Sequence, residues 1–124
     1  MKITCGTDII EIDRIKESIE TIGDKFKDKI YTKKEIEYCE SKKAQKYQHY
    51  AARFAAKEAV FKAVSDNLEN KFDLEWKNIE IVNNSKGRPE VKLDPSVGLE
   101  DLTIDISISH CKDYVVANTV CYTQ

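Results

Sequence analysis

The sequence predicts an α+β fold in which a small antiparallel sheet packs on one long central helix. Three observations predict it. Both ends of the chain carry β-branched segments, the C-terminal one strictly alternating. The centre holds a Gly- and Pro-free, alanine-rich stretch of helix formers. Shorter helical patterns lie between them, an order that segregates helices onto one side of a sheet. The length of 124 residues suits one domain, spanning residues 1–124, with a real core.

Taken in order, Ile3 to Ile12 is a strand interrupted by Gly6, the mark of a bulge or of a close backbone approach. Asp13 is placed to N-cap a short helix from Arg14 to Ile22, which Gly23 stops. Thr32 and Glu35 have capping-box spacing and open a helix to about Ser41. The long helix runs from about Ala44 to Val64, and the polar run from Asp66 to Asn70 ends it. Ile79 to Val82 is strand-like, Asn83 to Pro89 is a loop by composition, and Val91 to Leu93 resumes the strand pattern. Ile104, Ile106 and Ile108 alternate with Asp105, Ser107 and Ser109, the period of a half-buried strand. His110 to Asp113 then forms a turn, and Tyr114 to Tyr122 returns as the partner strand.

Composition excludes several classes. A net charge of −2 with 34% charged residues gives no nucleic-acid footprint, so an anionic partner must be met by a local patch. No apolar run approaches the ~18 residues of a membrane span, and the N-terminus has no signal-peptide pattern. Cys5, Cys39, Cys111 and Cys121 form no C-x-x-C pair, and read as reduced core thiols of a cytoplasmic protein, with a zinc site or a disulfide pair as the second choice.

Chemistry concentrates around Glu58. At about 100° per residue, Tyr47, Ala51, Phe54, Phe61 and Ser65 share a helix face that asks for burial, and Glu58 lies about 40° from Phe54. A carboxylate there needs a partner. Lys57 and Lys62 flank it, which suits either a metal–phosphate site or an ion pair with Lys62 four residues on. Asp8 projects from a strand of core residues, as a second carboxylate or as a strand cap. Two such carboxylates, with phosphate oxygens and water, suit the octahedral shell of Mg²⁺. Arg53 and Lys57, four apart, make a grip for a phosphate or an ordinary solvated edge. His110 ends a strand, where a side chain reaches solvent or a ligand. Gly87 within Lys86-Gly87-Arg88-Pro89 lets backbone approach a nucleotide, or simply makes a tight turn.

These segments coincide with a family. Gly6-Thr7-Asp8-Ile9-Ile10-Glu11-Ile12-Asp13-Arg14-Ile15 resembles the N-terminal motif of the holo-acyl-carrier-protein synthases, the short, single-domain 4′-phosphopantetheinyl transferases. Arg53-Phe54-Ala55-Ala56-Lys57-Glu58-Ala59 with Lys62-Ala63 resembles the central motif, and Ile106-Ser107-Ile108-Ser109-His110 with Asp113-Tyr114 the C-terminal one. Phe26, Ile30, Thr32, Glu35 and Cys39 fit the family pattern between the first two, and Gly87-Arg88-Pro89 the segment before the third. The chain departs from the family at Val64-Ser65-Asp66-Asn67, where a glycine-containing loop is common, at Ala52 and at Cys111.

The resemblance implies transfer of the 4′-phosphopantetheine arm of coenzyme A to a serine of apo-acyl carrier protein, in fatty acid biosynthesis. It implies Mg²⁺, or Mn²⁺, on Asp8 and Glu58, with Lys62 at the phosphates. Arg53, Lys57 and His110 would meet other coenzyme A phosphates, and Gly87, Arg88 and Pro89 the adenine side. Glu58 or Asp8 would accept the serine proton. Arg14 matches the family's carrier-docking arginine, and the short members are homotrimers with active sites at subunit boundaries. Two other readings remain: a non-enzymatic module that binds acidic helical partners and keeps Glu58 and Lys62 as an internal pair, and an Mg²⁺-dependent nucleotide pyrophosphate hydrolase.

Overall fold

The computed structural model describes residues 1–123, without the side chain of Lys71. Strand β1 (Ile3–Glu11) leads into helices α1 (Ile12–Ile22), α2 (Asp24–Ile30) and α3 (Lys33–Glu40), and then into the long α4 (Lys46–Val64). After short 3₁₀ turns come β2 (Ile79–Asn83), β3 (Pro89–Leu93), β4 (Leu102–His110) and β5 (Tyr114–Thr123). Strands β1, β5 and β4 form an antiparallel sheet in that order, and β2 and β3 form a separate hairpin.

The sheet lies on α4, as the sequence predicts. Strand alternation turns Gly6, Val115, Ala117, Thr119, Cys121 and Ile106 inward, where all are buried. On the helix, Ala51, Ala55, Ala56, Ala59, Val60, Ala63 and Val64 are buried. Small side chains let helix and sheet approach closely, and β1 comes nearest at Gly6. A Cβ there would stand 2.9 Å from Lys62 Cβ and 3.0 Å from Ala63 N, and closer still to Ala59 O. The register past Gly6 is unbroken, Cys5↔Val120, Gly6↔Thr119, Thr7↔Asn118. Of the two expectations for this glycine, close approach holds and the bulge does not.

Four further expectations need correction. Asp13 sits inside the first turn of α1, because the helix begins two residues earlier than expected, at Ile12, whose N–H donates to Asp113 O at 2.9 Å. Helix α2 was not expected; a sequence rich in lysine and aspartate concealed it, and its buried residue is Ile30. The fully buried side of α4 is the alanine–valine side, whereas Phe54 and Phe61 are only half-buried and are covered by Trp76. Only two cysteines are core thiols. Cys39 and Cys121 are buried, with the Cys39 thiol pushed up to about 12 by burial, and Cys5 and Cys111 are exposed.

The capping box at Thr32 and Glu35 is present, and the same glutamate does more. Glu35 Oε2 accepts from Ile81 N at 2.9 Å, fastening the β2–β3 hairpin to α3. Among the described residues no helix is long and apolar enough to cross a membrane.

Candidate active site

Asp8 stands on the inward face of β1, two residues beyond Gly6, opposite Ala117 of β5. The same close approach that requires Gly6 brings Asp8 against the last turns of α4. Lys62 Nζ lies 3.4 Å from Asp8 Oδ1 and donates to Thr7 O at 2.8 Å. Asp8 Oδ2 is buried and has no hydrogen-bond partner among the described residues. Glu58, one turn before Lys62, is half-buried. Its carboxyl pKa is raised, first by burial and then by the charge of Asp8, with Lys62 acting in the opposite direction. The two carboxylates therefore share one site. The pair that Glu58–Lys62 spacing allowed is replaced by Lys62–Asp8, because the strand offers the ammonium a carbonyl as well as a carboxylate.

An orphaned carboxylate oxygen beside a second carboxylate raised by like charge is relieved by a cation, so the residues fit a hard dication. Among the described residues no group of three or more His, Cys, Asp or Glu side chains is gathered to hold a metal. A dication on Asp8 and Glu58 would therefore complete its shell from water or substrate oxygens.

A groove of about 860 Å³ opens beside Glu58, lined by Asp28, Lys29, Phe61, Phe72, Leu74, Glu75, Trp76 and Lys77. Trp76 forms its wall by stacking on Phe54 at 5.1 Å and meeting Phe61 edge-on at 5.7 Å between ring centroids.

Arg53 is elsewhere. Five residues before Glu58, it is rotated by about 140° around α4. It is 4% exposed, its guanidinium lies 4.1 Å from the Tyr38 ring centroid, and its Nε has no partner. A second groove of about 450 Å³ runs past it, lined by Lys34, Glu37, Tyr38, Ile81, Val82 and Asn83. His49 meets Tyr38 edge-on at 5.5 Å, and its pKa is held down by burial and by the charges of Arg53, Lys42 and His110. His110, exposed at the end of β4, has its Nε2 3.1 Å from Gln48 Nε2. Arg53 and His110, both near enough for their charges to act on His49, thus lie on one side of α4, and Asp8, Glu58 and Lys62 on another.

Gly87, Arg88 and Pro89 sit at the tip of the β2–β3 hairpin and line neither groove. Gly87 has φ +82°, a turn conformation that favours glycine. Arg88 reaches both oxygens of Asp105, at 3.0 and 3.1 Å. Arg14 is exposed on the first turn of α1, with no ion pair among the described residues.

Lys57 requires correction as a phosphate ligand. Its side chain is fully buried, paired with Glu35 Oε1 at 2.6 Å and donating to Ile30 O at 2.7 Å and Trp76 O at 3.1 Å. Those three acceptors use all three ammonium protons. The helix wheel set Lys57 beside Glu58, but α2, α3 and the Trp76 turn close over that side. Sequence reasoning also passed over Trp76, Tyr38 and His49. The single tryptophan, set in an otherwise polar segment, is the signal that would have found the first.

Comparison with known proteins identifies the family of the chain. The family model described as the 4′-phosphopantetheinyl transferase superfamily matches residues 4–119. A holo-[acyl-carrier-protein] synthase of Ruminiclostridium cellulolyticum is 49% identical, the match covering 97% of this chain and 92% of that protein. One from Thermodesulfovibrio yellowstonii is 48% identical over 93% of this chain and 94% of the relative. Among solved structures, a Bacillus anthracis holo-(acyl-carrier-protein) synthase in complex with CoA (3′,5′-ADP) superposes with a TM-score of 0.81 at 30% identity, covering 98% of this chain and 96% of that one. The Chronobacterium ammoniagenes ACPS–CoA complex superposes with a TM-score of 0.84 at 26% identity, over 100% and 99% of the two chains. This chain therefore belongs to the 4′-phosphopantetheinyl transferase superfamily, within its holo-[acyl-carrier-protein] synthase family.

Proposed function

We propose that this enzyme transfers 4′-phosphopantetheine from coenzyme A to a serine of apo-acyl carrier protein, for fatty acid synthesis, in the cytoplasm. The observation that carries the reading is the Asp8–Glu58–Lys62 cluster, with Glu58 on the lining of the groove walled by Trp76, in a chain of this family. Serine Oγ attacks the phosphorus that bears pantetheine, the bond to the adenosine-side phosphate breaks, and adenosine 3′,5′-bisphosphate leaves. A Mg²⁺ held by Asp8 and Glu58 would supply charge neutralisation at the pyrophosphate. Lys62, already at this site, turns its ammonium to a phosphate oxygen as charge develops there. Glu58 or Asp8 accepts the serine proton, directly or through water, and Lys62 already faces Asp8 Oδ1.

Arg53 and His110 bind the remaining coenzyme A phosphates, and the hairpin at Gly87, Arg88 and Pro89 flanks the adenine. Because Arg53 and His110 lie on a different side of α4 from Asp8, Glu58 and Lys62, one coenzyme A joins them most directly across a subunit boundary. An outer sheet face that exposes Ile3, Ile9, Val120 and Tyr114 supports a homotrimer built on that sheet. The deciding experiment is intact mass of apo-carrier protein after incubation with this enzyme, coenzyme A and Mg²⁺. One phosphopantetheine added on serine is expected. Cleavage of coenzyme A without carrier would point to a hydrolase, and no change in either to a binding module.

Two predictions belong to this reading. A dication needs both carboxylates ionised, so Mg²⁺ affinity should weaken as pH falls through a pKa above the ordinary glutamate value of 4.5. Calorimetric titration across pH checks this, and affinity that holds constant down to pH ~4.5 would refute it. The second concerns Arg14, an exposed rim charge next to the Asp8 strand, which acts mainly on encounter with an acidic carrier. Arg14→Glu should weaken carrier binding about tenfold at low salt, flatten its salt dependence and leave coenzyme A affinity unchanged. Equal carrier affinity for both proteins at low salt would remove the docking role.

A further inference from the structure

The ammonium of Lys57 is the only buried cation in contact with the groove wall beside Glu58 among the described hydrogen bonds and ion pairs. It touches no solvent and cannot reach a substrate in this arrangement. Of its three acceptors, Ile30 O closes α2, Glu35 Oε1 belongs to α3, and Trp76 O belongs to the turn that carries the groove's aromatic wall. Glu35 is itself held by Thr32 N at 2.9 Å and Ile81 N at 2.9 Å. Three separate elements thus converge on one side chain, and the residue after it in sequence is Glu58.

We propose that Lys57 is a positioning residue: it pins the Trp76 turn against α4 and so fixes the aromatic wall of the groove that faces Glu58. The inference rests on the proposed transfer reaction in one respect, namely what the groove receives. The pantetheine arm, which stays bonded to the reacting phosphorus, must extend from it beside Glu58, and this groove begins there. Trp76 stacks on Phe54 and meets Phe61, residues four before and three after Glu58, so a shift of the turn moves the wall relative to the carboxylate. The wall is otherwise built from a 3₁₀ turn, Trp76–Asn78, joined to α4 by ring contacts that permit sliding. A directional bond from a buried ammonium to the Trp76 carbonyl removes that freedom. Arginine is no substitute, since its planar fork cannot meet three acceptors set around a point.

The test replaces the ion pair without leaving a buried charge. In Glu35→Gln with Lys57→Met, the amide oxygen keeps one of the two backbone N–H donors that Glu35 accepts and the methionine fills the space of the lysine stem, and circular dichroism first establishes that the variant is folded. Trp76 is the chain's single tryptophan and reports its own wall. In the double variant, acrylamide quenching of its fluorescence should rise. The KM for coenzyme A should rise roughly tenfold with a smaller change in kcat, on the scale expected for a wall misplaced by part of an ångström. Trp76→Leu alone should raise KM by a similar factor, and adding it to the double variant should change KM no further. A folded double variant with wild-type quenching would overturn the strut, and so would KM effects that multiply when the changes are combined. Quenching decides the strut even if the wild type transfers nothing, an outcome that would sink the transfer reaction instead.

Discussion

Replacing either Asp8 or Glu58 with alanine should lower kcat/KM for transfer by at least about 10³-fold at saturating Mg²⁺, at the upper end of what removing one principal electrostatic group costs. The expectation comes from geometry. Asp8 Oδ2 is buried with no partner among the described residues, and Glu58 is raised in pKa by burial and by Asp8. Both groups are held in an arrangement that costs the fold something, and a cation relieves both. The stability readout separates function from architecture. A glutamate whose charge is disfavoured by its surroundings contributes little to holding the fold, so Glu58→Ala should unfold at or above the wild-type temperature. Asp8→Ala leaves Lys62 its bond to Thr7 O and should cost little, because the ammonium is half-exposed. Calorimetric Mg²⁺ titration completes the set, with binding lost in both variants. Full transfer in either variant, or unfolding of Glu58→Ala well below wild type, would sink the assignment.

Gly6→Ala should be the most damaging single methyl in the protein. Its Cβ would meet Lys62 Cβ at 2.9 Å and Ala63 N at 3.0 Å, and would press on the Ala59 carbonyl. Backbone cannot rotate away as a side chain can, so β1 must move off α4. Overpacking of a tight core costs about 1–3 kcal/mol, and a clash with helix backbone belongs at the top of that range. For a chain of this size that is a fall in Tm of roughly 10 °C. The second consequence is catalytic. Moving β1 moves Asp8 away from Glu58 and Lys62, and kcat/KM measured well below Tm should fall about 10²-fold. Gly6→Ala with wild-type Tm and activity would mean that β1 and α4 have slack that the packing does not suggest.

The same glycine illustrates what was legible without a structure. A glycine inside a β-branched run signalled either a bulge or a close approach, and only the neighbouring helix decided between them. Period and capping made β4, β5, α3 and the long helix readable, because these are local properties in which a residue's own neighbours carry the information. Glu58 on an otherwise apolar face was legible as a carboxylate in need of a partner, and Asp8 as a second carboxylate on a strand of core residues, since a half-buried carboxylate demands opposite charge.

What the sequence could not determine was who faces whom. Glu58 and Lys62 have ion-pair spacing, yet Lys62 goes to Asp8 and Thr7 O, more than fifty residues away in sequence. Lys57 lies on the wheel next to Glu58 and reads as a phosphate ligand, yet α2, α3 and the Trp76 turn enclose it with Glu35. Arg53 and Glu58 share one motif but face different grooves. A lysine's reach and a helix's rotation are set locally, whereas the acceptor at the end of the side chain is supplied by whichever element packs there. Residue chemistry and helix phase were determined by the sequence alone; the partners of each charge, and with them the difference between a ligand and a strut, were decided by tertiary packing, because a buried charge takes the nearest acceptor in space.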